Sequence, residues 1–174
     1  MGIGNEPELR DCVPFFVQEL MKFIPGIRRL PPEAEIVYVP GEFSVDTVPS
    51  LESTASLLVN DVQLGLDVHG MLVSVWGLCP FPERAERRPL RLRAPSATGV
   101  CVVGPEIRPG ISYRLHENRL PMALDAESGW VLVGSTSADS SHAYLSPFRG
   151  VVLQLDSGGN FVGLWLRPKY RELG

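Results

Sequence analysis

Residues 62–76, VQLGLDVHGMLVSVW, and residues 151–165, VVLQLDSGGNFVGLW, align at a constant offset of 89 with seven of fifteen positions identical. The shared pairs are Val62/Val151, Leu64/Leu153, Leu66/Leu155, Asp67/Asp156, Gly70/Gly159, Val73/Val162 and Trp76/Trp165. Each stretch has alternating apolar residues, an Asp, a Gly-containing turn and a second apolar run that ends in Trp. That order specifies a β-hairpin. Val62, Leu64 and Leu66 alternate with Gln63, Gly65 and Asp67, as in a strand buried on one face. Two origins fit the likeness: tandem duplication, or two ordinary hairpins drawing on the same Val, Leu and Gly vocabulary. Under duplication, Trp76 and Trp165 occupy equivalent places in superposable hairpins.

Outward from the hairpins the chain keeps a β texture. Ile36–Val39 and residues 56–59 and 71–77 read as strands, with Asn60-Asp61 as a turn and residues 40–49 as a loop. A short helix over Leu51–Leu58 is the rival for that segment. Strands are also expected at 99–103, 111–115, 130–134, 143–145 and 161–166, with Trp130–Gly134 holding the place of Ile36–Val39 ahead of the second hairpin. Near the start, Asp11 is a plausible N-cap and Pro14 falls in the first turn. Val13, Phe16, Val17, Leu20, Phe23 and Ile24 then follow helical spacing until Pro25 and Gly26 stop it. The expected class is mostly β or α+β. Its antiparallel sheets come from two meander-containing halves, 34–80 and 128–168, with one N-terminal amphipathic helix. A Pro/Arg-rich connector spans 80–98, all within a single compact domain over residues 1–174.

Bulk composition bounds this. Apolar residues at 44% and charged residues at 21% exclude wholesale disorder. Seventeen Gly and 16 Pro, without a period, punctuate many short elements. The net charge of −4 is unevenly shared: residues 1–80 carry 4 basic and 11 acidic side chains, and residues 81–174 carry 12 and 9. Such a layout can steer an encounter with a charged partner, and it is not the basic balance of a general nucleic-acid binder. Cys12, Cys79 and Cys101 are odd in number and widely spaced, unlike a secreted disulfide framework. MGIGNEPELRD has no basic region followed by an apolar core, and no apolar run approaches the length of a membrane span. A cytoplasmic location, with no membrane partner, is the expectation.

The chemistry-bearing residues are few. PERAERRPLRLR at 82–93 holds Arg84, Arg87, Arg88, Arg91 and Arg93. Guanidinium groups grip carboxylates in bidentate fashion, so these five are the candidate binding residues for an acidic protein partner. Leu90 and Leu92 alternate with Arg91 and Arg93, which also suits a charged edge strand. Aromatic interleaving for stacking bases is missing from the stretch. STSADSSH at 135–142 reads as a polar loop, because the chain has no nucleophile elbow. His69, His116 and His142 lack metal-ligand spacing, and neither GPEIRPG nor LDSGGNF is a phosphate cradle. Asp67 and Asp156 read as turn residues and the two Trp as core. No catalytic residue, metal or cofactor is expected. The functional expectation is a non-enzymatic protein-binding module, adaptor- or immunity-like. Two alternatives stand beside it. One is an enzyme assembling Asp46, His116, Asp139 and His142 in three dimensions. The other is a small-ligand binder with a cavity between the β halves.

Overall fold

A computed structural model describes residues 21–27, 29–104, 107–135 and 140–172. Among these residues sixteen short strands carry the fold. They are β1 (Lys22–Pro25), β2 (Glu35–Val39), β3 (Ser44–Val48), β4 (Ala55–Val59), β5 (Val62–Leu66), β6 (Leu72–Leu78), β7 (Glu86–Arg87), β8 (Ala97–Thr98), β9 (Val100–Val103), β10 (Ser112–Arg114), β11 (Met122–Leu124), β12 (Val131–Gly134), β13 (Ala143–Phe148), β14 (Val151–Leu155), β15 (Phe161–Leu166) and β16 (Lys169–Tyr170). A one-turn helix, α1 (Phe81–Arg84), follows β6. Among the described residues no helix is long and apolar enough to cross a membrane. The fold is mostly β, as expected.

Two seven-stranded sheets dominate. The first has the order β10-β4-β5-β6-β3-β2-β16 and the second β8-β13-β14-β15-β12-β11-β7. Taken in these orders, every inner pairing is antiparallel in both sheets and both outermost pairings are parallel. The outermost strands come from distant parts of the chain: β10 and β16 complete the first sheet, β7 and β8 the second. One cluster of buried apolar side chains draws on both sheets, including Ile36, Leu57, Leu64 and Val75 from the first and Val133, Leu153, Phe161 and Leu166 from the second. The alternation of β5 and β14 explains this, since every second residue, Val62, Leu64 and Leu66 in one and Val151, Leu153 and Leu155 in the other, joins that core.

The two hairpins agree in detail. Gln63 pairs with Trp76 and Val152 with Trp165, and each ladder shifts register at the same place, Gly65/Leu66 and Gln154/Leu155. In the first turn Asp67 Oδ1 accepts from the His69 and Met71 amides at 2.8 and 2.9 Å. In the second, Asp156 Oδ1 accepts from the Gly158 and Asn160 amides at 2.8 and 2.9 Å. Side-chain bonding to turn amides is why Asp stands there. Gly70 and Gly159 take φ of 76° and 77°, where only glycine is unstrained. Their carbonyls accept from Val102 and Phe23 respectively, both at 2.9 Å, so the turns clamp the third sheet, the ribbon of β1 and β9.

Three expectations need correction. The expected helix runs into β1: Phe23 and Ile24 lie in a strand that pairs with Cys101 and Val102, and Phe23 is buried 6.2 Å from the Phe161 ring. The rest of that expected helix, residues 11–20, lies outside the described residues. The strand read over 56–59 is present as β4, and its rival, a helix over 51–58, is not, because Leu57 and Val59 alternate into the core. The expected loop over 40–49 contains β3, whose Val45 and Thr47 are buried between β2 and β6. Finally, Val131–Gly134 holds the sheet position of β3; the counterpart of β2 is β11.

Candidate functional site

Pro80 opens the connector and α1 buries Phe81, its ring 4.6 Å from that of Tyr38. Arg84 closes the turn, exposed. Glu86 and Arg87 add the edge strand β7 beside β11, also exposed. Beyond Arg87 the chain leaves the edge and crosses the outer face of the second sheet as irregular backbone. Leu90 and Leu92, read from sequence as an edge strand, instead pack down on Leu132, Tyr144, Val152 and Trp165. Their side chains close a second, smaller apolar cluster, and alternation turns Arg91 and Arg93 outward.

Backbone bonds brace this crossing. The Arg88 amide donates to Leu124 O at 3.0 Å and the Ser96 amide to Tyr144 O at 2.8 Å. Between them the Leu90 amide donates to Asp125 Oδ2 at 3.2 Å, while Asp125 Oδ1 accepts from Glu127 and Ser128. These amides hold the Asp125 carboxyl below the usual carboxylate range, the Leu90 amide contributing most.

Beneath the connector lies a polar chain. Gln154 is buried, and its Oε1 accepts from Trp165 Nε1 at 3.0 Å. An indole N–H can only donate, so this bond fixes the amide's orientation. The Gln154 Nε2 must then face His142 Nδ1, 2.8 Å away, as donor. His142 consequently carries its proton on Nε2 when neutral. A cavity of about 210 Å³ opens above this chain, between Arg88, Leu90 and Arg91 on the connector and Tyr144, Gln154 and Trp165 on the sheet.

Arg88 also borders a larger cavity of about 430 Å³, with His116, Leu120, Phe161 and Val162. The His116 ring lies 5.4 Å from Phe161. Burial pushes the His116 imidazole below its ordinary value, favouring the neutral form.

The five sequence-predicted arginines therefore lie along one braced strip but face differently. Arg88 is half-buried and its Nε is 3.3 Å from Glu86 Oε2. Arg84, Arg87, Arg91 and Arg93 are exposed, and Arg93 Nη1 donates to Ser140 O at 3.2 Å. The alternative catalytic set is not brought together among the described residues. Asp46 is on β3, bonded to its neighbour's amide, Thr47. His116 borders the larger cavity, His142 bonds Gln154, and Asp139 lies outside the described residues. No group of three or more His, Cys, Asp or Glu residues among those described is placed to hold a metal ion. Sequence reasoning missed Gln154, Trp165 as its donor, and Asp125 as the connector's anchor.

No protein-family model matches this chain, and no curated protein is significantly similar to it.

Proposed function

We propose that the protein is a non-enzymatic binding module, adaptor- or immunity-like, that presents Arg84, Arg87, Arg91 and Arg93 to an acidic protein partner. One observation carries this: four exposed guanidinium groups lie within ten residues of a braced strip, and none forms an ion pair with a described residue. Exposed arginines without an ion-pair partner are open to bidentate carboxylate recognition, Arg93 once its bond to Ser140 O is released, and a rigid strip reduces the ordering cost of binding. The chain's net charge of −4 weighs against general nucleic-acid binding. Cys79 and Cys101 are free thiols, which supports a reducing, cytoplasmic setting.

The scaffold behind the strip is read as two duplicated half-domains in a single folding unit. The 89-residue offset, the matched turn bonds, the shared bulge position and the common strand order support duplication. Independent hairpins would have no reason to share all four.

The test is affinity capture from lysate of the source organism, using wild-type bait and a bait carrying Arg84→Glu, Arg87→Glu, Arg91→Glu and Arg93→Glu. Arg88 stays intact because it is half-buried. Both baits must show the same thermal midpoint. A stoichiometric acidic partner that is lost from the reversed bait is the expected result. A partner retained equally by both baits, or none with either, overturns the assignment.

A further inference from the structure

The cavity at Arg88 and His116 is larger than those at Trp165 (about 210 Å³), Trp76 (about 170 Å³) and Arg149 (about 270 Å³). Its lining is divided in character. Leu120, Pro121, Phe161 and Val162 supply apolar wall, and Phe161 is buried beneath it. Three polar residues, Arg88, His116 and Ser135, interrupt that wall, and the first two each have an atom without a hydrogen bond. His116 Nε2 is buried with no hydrogen-bond partner. Arg88 Nε is buried in the same condition: Glu86 Oε2 lies 3.3 Å away, but the N–H does not point at it and no hydrogen bond forms. Buried polar atoms are paired in the great majority of cases, and leaving one unpaired is costly.

Two nitrogen-bearing side chains on one mostly apolar cavity are the recognition pattern of a small ligand with a single polar end, and Arg88 and His116 must turn their closed-off nitrogens toward it on binding. A guanidinium can only donate, so that end must accept, and a neutral imidazole matches it through its one N–H. The guanidinium's charge selects an anion, and its fork matches a carboxylate. The volume is near the lower bound of small-molecule pockets, roughly 300 Å³. The geometry points to a binding site for a small organic carboxylate with an apolar body, of the arylalkanoate class, held by Arg88 and His116 over the Phe161 ring. Glu86 is the group it displaces from Arg88, and its mostly exposed carboxylate returns to water. The site does not depend on the arginine strip, since reversing Arg84, Arg87, Arg91 and Arg93 leaves Arg88 in place.

The experiment is a titration of ¹⁵N-labelled full-length protein followed by amide chemical shifts. The probes are 3-phenylpropionate, its neutral amide 3-phenylpropanamide, and inorganic phosphate. Saturable shifts at Leu120, Phe161 and Val162 with the acid, at least tenfold tighter than with the amide or phosphate, are expected. Arg88→Gln should weaken the acid at least tenfold, and Leu120→Trp should block it by filling the cavity. Arg149→Gln, at a separate cavity, should change affinity less than twofold. An acid that binds no better than its amide overturns the site without reference to any variant. Phosphate binding as tightly as the acid overturns the apolar half of the assignment. Undiminished binding to a folded Arg88→Gln protein overturns the role of the guanidinium.

Discussion

Alanine at Gly70 and at Gly159 should have unequal costs, although the two turns share bonds and backbone angles. Both glycines sit near φ of 76–77°, so any β-carbon incurs the left-handed penalty of about 1–2 kcal/mol. The second contribution differs. A β-carbon on Gly159 would lie 3.2 Å from Phe23 O, a contact relieved by a few tenths of an ångström. On Gly70 it would lie 2.7 Å from Val102 O, too close to persist. The obstacle there is backbone, and moving it disturbs the bond from the Val102 amide to Gly70 O, a net loss of about 1 kcal/mol. The expected destabilisation is about 2–3 kcal/mol for Gly70→Ala and about 1–2 kcal/mol for Gly159→Ala. Urea unfolding with unchanged slope reads the gap of about 1 kcal/mol as midpoints roughly 0.5 M apart. Equal losses, or a larger loss at Gly159, would refute the claim that the turns clamp the ribbon through these contacts.

Further outcomes follow from buried or bonded polar atoms. The Asp156 carboxyl is held below the usual range, chiefly by the Asn160 side chain, then by backbone amides and Lys22. Its stabilisation is therefore present above the ordinary value near 3.9 and is lost as pH falls through the lower folded value; Asp156→Asn should flatten that acid limb in urea titrations between about pH 2 and 5, and a limb as steep as the wild type's would contradict it. Tyr38 is fully buried with its hydroxyl unpartnered, so Tyr38→Phe should raise stability by about 1 kcal/mol; a loss of stability on thermal melting would mean that the hydroxyl has a partner. Gln154→Leu strands both Trp165 Nε1–H and His142 Nδ1, and should cost about 1–3 kcal/mol and change the fluorescence of Trp165. His142→Ala strands only one amide N–H and should cost less; the reverse order in urea midpoints would break the proposed chain.

The hairpins were legible because their signal is local. Period-two alternation and an Asp three residues before a Gly fix strand, turn and register within fifteen residues. What failed was non-local. Phe23 and Ile24 continue a helical period, and only the Val100–Val103 strand, nearly eighty residues away, makes them a strand. Ser44–Val48 alternates correctly but is polar at Asp46 and flanked by turn residues, so its burial at Val45 and Thr47 depended on β2 and β6 being there to pair. The arginine strip was found from composition. Its orientation was not, because Leu90 and Leu92 could equally serve an edge or a face. Gln154 reads in sequence as the wet side of a strand. It is buried because the connector lies over it, and no spacing rule links residues 88–92 to 154. Arg88 and His116 are likewise 28 residues apart, with no motif to join them.

The outer faces of the two large sheets differ in what they can anchor. At equivalent register the first carries Ser56, Gln63 and Trp76 where the second carries Tyr144, Val152 and Trp165. On the first face Ser56 Oγ bonds Gln63 Oε1 at 2.9 Å and lies 2.7 Å from Ser112 Oγ, so hydroxyls and an amide satisfy one another and Trp76 stays half-exposed. On the second, Tyr144, Val152 and Trp165 form an apolar surface that Leu90 and Leu92 cover. An apolar floor lets a short segment without regular structure be held in one place, since burying even part of two leucines contributes on the order of a kilocalorie per mole each. The polar first face offers no such anchorage. The arginines can therefore be both exposed and fixed only on the second sheet, and the leucines alternating with them are what hold them there.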